Sequence, residues 1–151
     1  MNVTYGFLCD YATVSHEGKL SILGIFSDIS VRDLPARHPQ AFLAFELAFS
    51  YAEINAQFPL RIECVDEDGR KIFQADGQAQ LTGHAKPGQR PRIVQALQLN
   101  DLTFERAGRY DINIFVNNEL KRTIEFTVTA RPAAAAEEAG EREGEGGPPG
   151  L

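Results

Sequence analysis

The sequence predicts an all-β protein, an antiparallel β-sandwich of about eight or nine strands, and three observations carry that prediction. The first is the stretch 109–129, RYDINIFV-NN-ELKRTIEFTVT. Tyr110, Ile112, Ile114 and Val116 fall on one face of its first arm, with Arg109, Asp111 and Asn113 on the other. A second arm alternates in the same way, with Arg122, Ile124, Phe126 and Val128 on one side. This period of two is what a strand needs to bury one face and wet the other. Asn117-Asn118 between the arms suits the positive φ of a type I′ turn. The second observation is that similar short segments recur along the chain, separated by turn signals. The third is that no segment makes a persuasive helix. A lone ribbon is marginally stable in water, so the rest of the chain must supply an opposing apolar sheet.

Taken in order, Val3 to Tyr11 reads as the first strand, with Val3, Tyr5, Phe7, Cys9 and Tyr11 expected on one face. Ser15-His16-Glu17-Gly18 closes a hairpin, and the strand from Lys19 to about Ile29 follows. Gly24 in its middle predicts a bulge or a close backbone approach. Residues 32–40, RDLPARHPQ, read as a loop pinned by Pro35 and Pro39. Residues 41–50, AFLAFELAFS, are apolar on both faces apart from Glu46 and hold the two-residue period of a central strand.

After a polar connection, Leu60, Ile62 and Cys64 mark a further strand, which Asp66-Glu67-Asp68-Gly69 turns into Arg70 to Ala75. Residues 78–82 read as a short edge strand or as a continuation past Gly77. Residues 83–91, GHAKPGQRP, form a second Pro-rich loop, and Ile93, Leu97 and Leu99 mark the strand after it. Gly108, Arg109 and Tyr110 resemble a tyrosine corner, in which a late-strand tyrosine hydrogen-bonds back to the preceding loop. The expected sandwich is thus immunoglobulin-like or a similar Greek key, with Tyr110, Gly108, Asn117 and Asn118 as structural residues.

From residue 131 the composition shifts to RPAAAAEEAGEREGEGGPPGL, with no aromatic residue and one large aliphatic, Leu151. Such a segment buries too little to offset the entropy of ordering. Residues 1–130 are therefore read as one β-sandwich domain and 131–151 as a disordered acidic tail. The net charge is −6, of which the tail's five Glu and two Arg supply −3 and the body the other −3. A nearly neutral body argues against broad electrostatic capture of nucleic acid. The N-terminus lacks a basic region ahead of an apolar one, and no 18-residue apolar run occurs, so the expectation is a cytoplasmic protein with no membrane association. With no Trp and no export signal, Cys9 and Cys64 are expected as buried, reduced thiols rather than a disulfide.

The motifs of the common catalytic sites are absent: no phosphate-binding Gly-rich loop, nucleophile elbow, HExxH or CxxC occurs. His16, His38 and His84 stand alone in loops, so no metal and no cofactor are expected. The calcium-loop pattern that opens at Asp66 meets Gly77 where it needs an acid. Asp10 is an acid within a strand, and such residues usually sit on a wet face.

The cluster with the most chemistry is basic. His84, Lys86, Arg90 and Arg92 lie within nine residues held by Pro87 and Pro91, and Arg32, Arg37 and His38 form a similar group in the other Pro-rich loop. Strictly alternating strands would bring both loops to one end as an anion-binding rim.

The segments YGFLCDYATVSHEGKLSILGIF, LPARHPQAFLAF and GRYDINIFVNNE together resemble a family of short, uncharacterised bacterial proteins with a FLCDYA-type first strand and a GRY-type last hairpin. The resemblance covers most of residues 3–129. It implies a bacterial source and a β-sandwich body, draws attention to Arg37 and His38, and brings no activity, cofactor or catalytic residue.

The functional expectation is a non-enzymatic interaction module that binds a protein partner, or self-associates, through its Pro-stiffened basic loops or a sheet edge. The least guarded edge in the sequence is that of residues 41–50. The alternative is a small-ligand or carbohydrate-binding module, or a hydrolase-type enzyme, in which Asp10 and the loop histidines share a pocket.

Overall fold

A computed structural model describes residues 1–84 and 86–131, and the expected tail from residue 132 onward lies outside the described residues. The described residues form nine strands: β1 (Asn2–Val14), β2 (Leu20–Ile25), β3 (Asp28–Val31), β4 (Ala36–Ala48), β5 (Phe58–Asp66), β6 (Lys71–Ala79), β7 (Arg92–Phe104), β8 (Gly108–Val116) and β9 (Glu119–Ala130). One 3-10 turn, Tyr51–Glu53, lies between β4 and β5. No helix among the described residues is long and apolar enough to cross a membrane. The strands make two sheets, ordered β2-β1-β4-β7 and β3-β9-β8-β5-β6. Pairing is antiparallel except for β3, which runs parallel to the end of β9.

The core lies between the sheets. Val3, Leu8, Leu43, Phe45 and Leu47 from the first sheet meet Ile62, Cys64, Tyr110, Ile112, Ile114, Phe126 and Val128 from the second. Burying side chains of this size contributes about 1.5–3 kcal/mol each before entropy is counted. Phe104, Tyr110 and Phe126 pack with ring centroids 5.0–5.8 Å apart. The Tyr110 hydroxyl donates to the Arg106 carbonyl at 2.6 Å, which is the tyrosine corner. Asn117 and Asn118 both take positive φ, 52° and 63°, in the β8–β9 turn. The backbone N–H of Arg109 donates to Glu67 Oε1, and a Cβ on Gly108 would lie 2.8 Å from that same oxygen.

Residues 41–48 do form a central strand, with β1 on one side and β7 on the other, so this stretch is no edge. Glycine 77 does not break β6, because it pairs with Leu60 inside the ladder. The face expected of β1 needs correction. The register shifts between Val3 and Tyr5, so that Val3 and Leu8 enter the core and Phe7 and Tyr11 are left partly exposed. A bulge adds one residue to one strand, and everything after it changes face.

The β1–β2 hairpin does not continue the plane of its sheet. Ala12, Leu20 and Ile22 pack with Cys9, Phe42, Ala44 and Ala96, residues that span β1, β4 and β7. β2 touches β7, although two strands separate them in the sheet. The hairpin therefore folds back over the outer face of the first sheet. The bend falls where Asp10 lies over Gly24, whose φ is +68°. The outer face of the second sheet is instead wet: Arg109 pairs with Glu125, and Glu63 takes both Arg61 and Lys71. Cys9 and Cys64 are both buried and unbridged. Burial pushes the Cys64 thiol up to about 12, helped by the charges of Asp111 and Asp66.

Candidate functional site

The folded-back hairpin, the lower end of β4 and the loop before β7 together enclose a cleft of about 630 Å³. The loop is fixed at three places by the β4–β5 connection. Asn55 exchanges two side-chain hydrogen bonds with Gly83, each 3.1 Å. The Tyr51 hydroxyl donates to Gln89 O, and the Phe49 N–H donates to Pro91 O. Between these anchors the Lys86 carbonyl accepts from Gln89 N–H, closing a turn around Pro87-Gly88. Proline fixes one dihedral and glycine supplies the positive φ, so the turn is stiff for a loop. The anchoring aims His84, Lys86, Arg90 and Arg92 at one space.

The floor of the cleft is Glu46, only 8% exposed although it carries a charge. Thr4 Oγ1 donates to one of its oxygens, and Arg92 Nη1 donates to the other at 3.1 Å. A buried carboxylate persists when both oxygens are engaged in this way. Tyr5 stands opposite Glu46 in the β1–β4 ladder. Burial raises the pKa of its hydroxyl, and the Glu46 charge adds to the effect. Glu17, at the hairpin tip, lines the opposite wall and pairs with Lys19. The cleft sets the cations Lys86, Arg90 and Arg92 against the carboxylates Glu46 and Glu17. Among the described residues neither Lys86 nor Arg90 belongs to an ion pair, so both remain available to an incoming anion.

The other basic group lies elsewhere. Arg37 pairs with Thr103 at the start of β4, whereas Arg92 pairs with Ala48 at its end. Eleven residues of strand separate the two positions, roughly 35 Å. The single-rim arrangement therefore fails, because β6 runs straight through Gly77 and residues 78–82 add no separate strand. Arg37 is bound to Asp101 at 2.9 Å, and Arg32 is exposed in the β3–β4 loop. His38 packs against Phe26, with ring centroids 5.9 Å apart, and its Nε2 is buried without a hydrogen-bond partner among the described residues. Asp10 sits at the hairpin bend, so Asp10, His38 and His84 are not gathered into one pocket. No group of three metal-ligating side chains occurs among the described residues. In the Asp66–Gly69 turn, Asp66 Oδ1 accepts from the N–H groups of Asp68 and Arg70, and Asp68 pairs with Arg106.

Sequence reasoning found the cationic wall of the cleft and missed Thr4, Glu17 and Glu46. One signal for Glu46 was present, since it is the single charge in an otherwise apolar strand. Nothing local in the sequence announced Thr4, which the β1–β4 pairing brings to Glu46, or Glu17, which reaches the cleft because the hairpin folds over.

No curated protein matches this chain. Among solved structures, Pseudomonas fluorescens alkylpurine DNA glycosylase AlkC bound to DNA containing an abasic site analog is similar over 83% of this chain and 30% of its own, at 15% identity and a TM-score of 0.43. The chain thus spans less than a third of that protein's length, and a likeness this slight carries no conclusion about activity. Residues 4–129 match the family of unknown function DUF6941, and the chain belongs to that family.

Proposed function

We propose that this chain is a non-enzymatic, immunoglobulin-like interaction module of the bacterial cytoplasm. It holds an acidic segment of a partner protein in the cleft between the 83–92 loop and the β1–β2 hairpin. The observation that carries this reading is the pair Lys86 and Arg90, aimed into a cleft whose floor is already neutralised by the Arg92–Glu46 contact. Two cations on an anchored loop, unpaired among the described residues, bind carboxylates without first breaking a contact or ordering a chain. Arg90 offers a planar fork to one carboxylate, and Lys86 a point charge to the next. Arg32, Arg37 and His38 take no part, being at the far end of β4.

The test is titration of the full chain with a fluorescent Glu-rich peptide at low and high salt, beside the K86A/R90A variant. Binding that weakens with salt and disappears in the variant supports the reading. Binding retained by the variant removes the cleft from it, and no binding at low salt removes the acidic partner. Arg92 is left intact because its loss would expose the Glu46 charge.

A further inference from the structure

Four strands form sheet edges: β2 and β7 in one sheet, β3 and β6 in the other. Natural edges are guarded against pairing by charge, proline, bulges or brevity. β7 carries Arg92 and Asp101, β6 carries Lys71 and Asp76, and β3 is four residues long with Asp28. β2, LSILGI, has no charge and no proline. Leu20 and Ile22 point under the hairpin, while Leu23 and Ile25 are 66% and 59% exposed. Their cross-strand neighbours are Tyr11, itself 48% exposed, and Cys9, with Phe7 next along β1. Apolar surface thus runs without interruption from Phe7 through Ile25 and Tyr11 to Leu23, beside an unpaired backbone edge.

We propose that the β2 edge pairs antiparallel with β2 of a second copy of this chain, across a two-fold axis. Charge placement selects this occupant. Lys19 stands just before β2 in an exposed pair with Glu17 that a new partner displaces at little cost, Asp10 lies over Gly24 near the end of β2, and exposed Asp28 opens β3 of the other sheet three residues beyond Ile25. Antiparallel self-pairing centred on Leu23, with Leu23 opposite Leu23 and Lys19 opposite Ser27, brings Lys19 of each copy towards the acids of the other, whereas parallel pairing would set Lys19 against Lys19. A two-fold axis normal to the sheet also keeps outward residues beside outward residues, so Leu23 and Ile25 of both copies form one apolar strip.

The area is consistent with a reversible dimer. The exposed parts of Phe7, Tyr11, Leu23 and Ile25 present roughly 400 Å² per copy, taking about 200 Å² for a whole large side chain. A standard interface buries about 800 Å² per partner, and the edge backbone with its flanking Lys19 and Asp28 supplies the rest. The positive φ of Gly24, with the Asp10 carboxylate over it, limits the ladder to the six residues of β2 and so limits its strength.

Sedimentation of the full chain over a concentration series tests this. The expected result is a concentration-dependent dimer. L23K should weaken it by about a hundredfold, since a charge is placed in the apolar strip, while the melting temperature measured at concentrations where both proteins are monomers stays unchanged because residue 23 faces solvent there. K19E should weaken association by about tenfold, and K19E/D28K should restore it, because the swap re-pairs opposite charges. A wild-type chain that stays monomeric up to about 1 mM overturns the proposal. So does a dimer indifferent to L23K, or one in which K19E/D28K is no stronger than K19E. A monomer whose β2 face instead captures a different protein also overturns it, since the occupant would not be a second copy.

Discussion

The carboxylate of Asp10 lies against the face of Gly24, in the space that a Cβ on residue 24 would need. Gly24 also holds φ at +68°, a conformation that L side chains adopt at a cost of about 1–2 kcal/mol. This contact is the fulcrum on which the β1–β2 hairpin turns back over its own sheet. Gly24→Ala should therefore destabilise the protein by about 2 kcal/mol or more. Asp10→Ala alone should change little, and D10A/G24A should recover the steric part of the loss while leaving the dihedral part. Urea denaturation of the four proteins measures the coupling. An additive double variant would show that Asp10 is not what crowds residue 24.

Arg92 does structural work at the cleft floor. Removing it leaves Glu46 buried, with Thr4 as its one side-chain donor. R92A should cost about 1–3 kcal/mol, the range for a charged group that loses a hydrogen-bond partner. E46A/R92A should be more stable than R92A, because no uncompensated charge is then left inside. Equal stabilities would mean that water reaches Glu46 freely.

The N-terminal ammonium donates to both oxygens of Glu53, at 2.8 and 2.9 Å. That contact, with the Ser50 N–H behind it, lowers the Glu53 pKa to about 2. A pKa depressed in the folded state contributes stability that is fully present above the unfolded carboxylate value, near 4.3, and is lost as pH falls towards 2. E53Q should therefore be less stable than wild type at pH 6, with the gap closing between about pH 4.3 and pH 2. Thermal melts across that range measure it, and a gap that stays constant with pH would refute the linkage.

Cys64 has no exposed surface and a thiol pushed up to about 12. The thiolate is the reactive form, so an aromatic disulfide reagent at pH 8 should leave Cys64 unmodified in the native protein and label it on unfolding. Native labelling as fast as that of a free thiol would show that the second sheet opens on the timescale of the reaction.

The alternation in residues 109–129 fixed a strand face by itself, and Tyr110, Ile112, Ile114 and Val116 all point into the core. Asn117-Asn118 specified its own turn, since few other pairs take two successive positive φ values. The central position of residues 41–48 was equally legible, because a strand apolar on both faces needs cover on both. These are local properties: period, turn chemistry and composition act within a few residues.

The sequence did not reveal what covers the outer face of that central strand. Reading β1 as an unbroken alternation put Phe7 on the same face as Val3. One inserted residue after Val3 sends Leu8 into the core instead, and a sheet apolar on both sides gives no polar residue to expose the slip. The cleft is likewise a tertiary product. Its cationic wall was visible as a run of four residues, but its floor joins Thr4, Glu46 and Arg92, positions that only strand pairing brings together. The separation of Arg37 and His38 from Lys86 and Arg90 was decided by β6 continuing through Gly77. By itself the sequence determined the closing hairpin with its turn and the apolar centre of β4; it did not show that residues 19–29 divide into β2 and β3 of different sheets, or that residues 36–40, read as loop, belong to β4. The tertiary structure decided which faces meet and which loops share an end, because those depend on register and strand count summed over the whole chain.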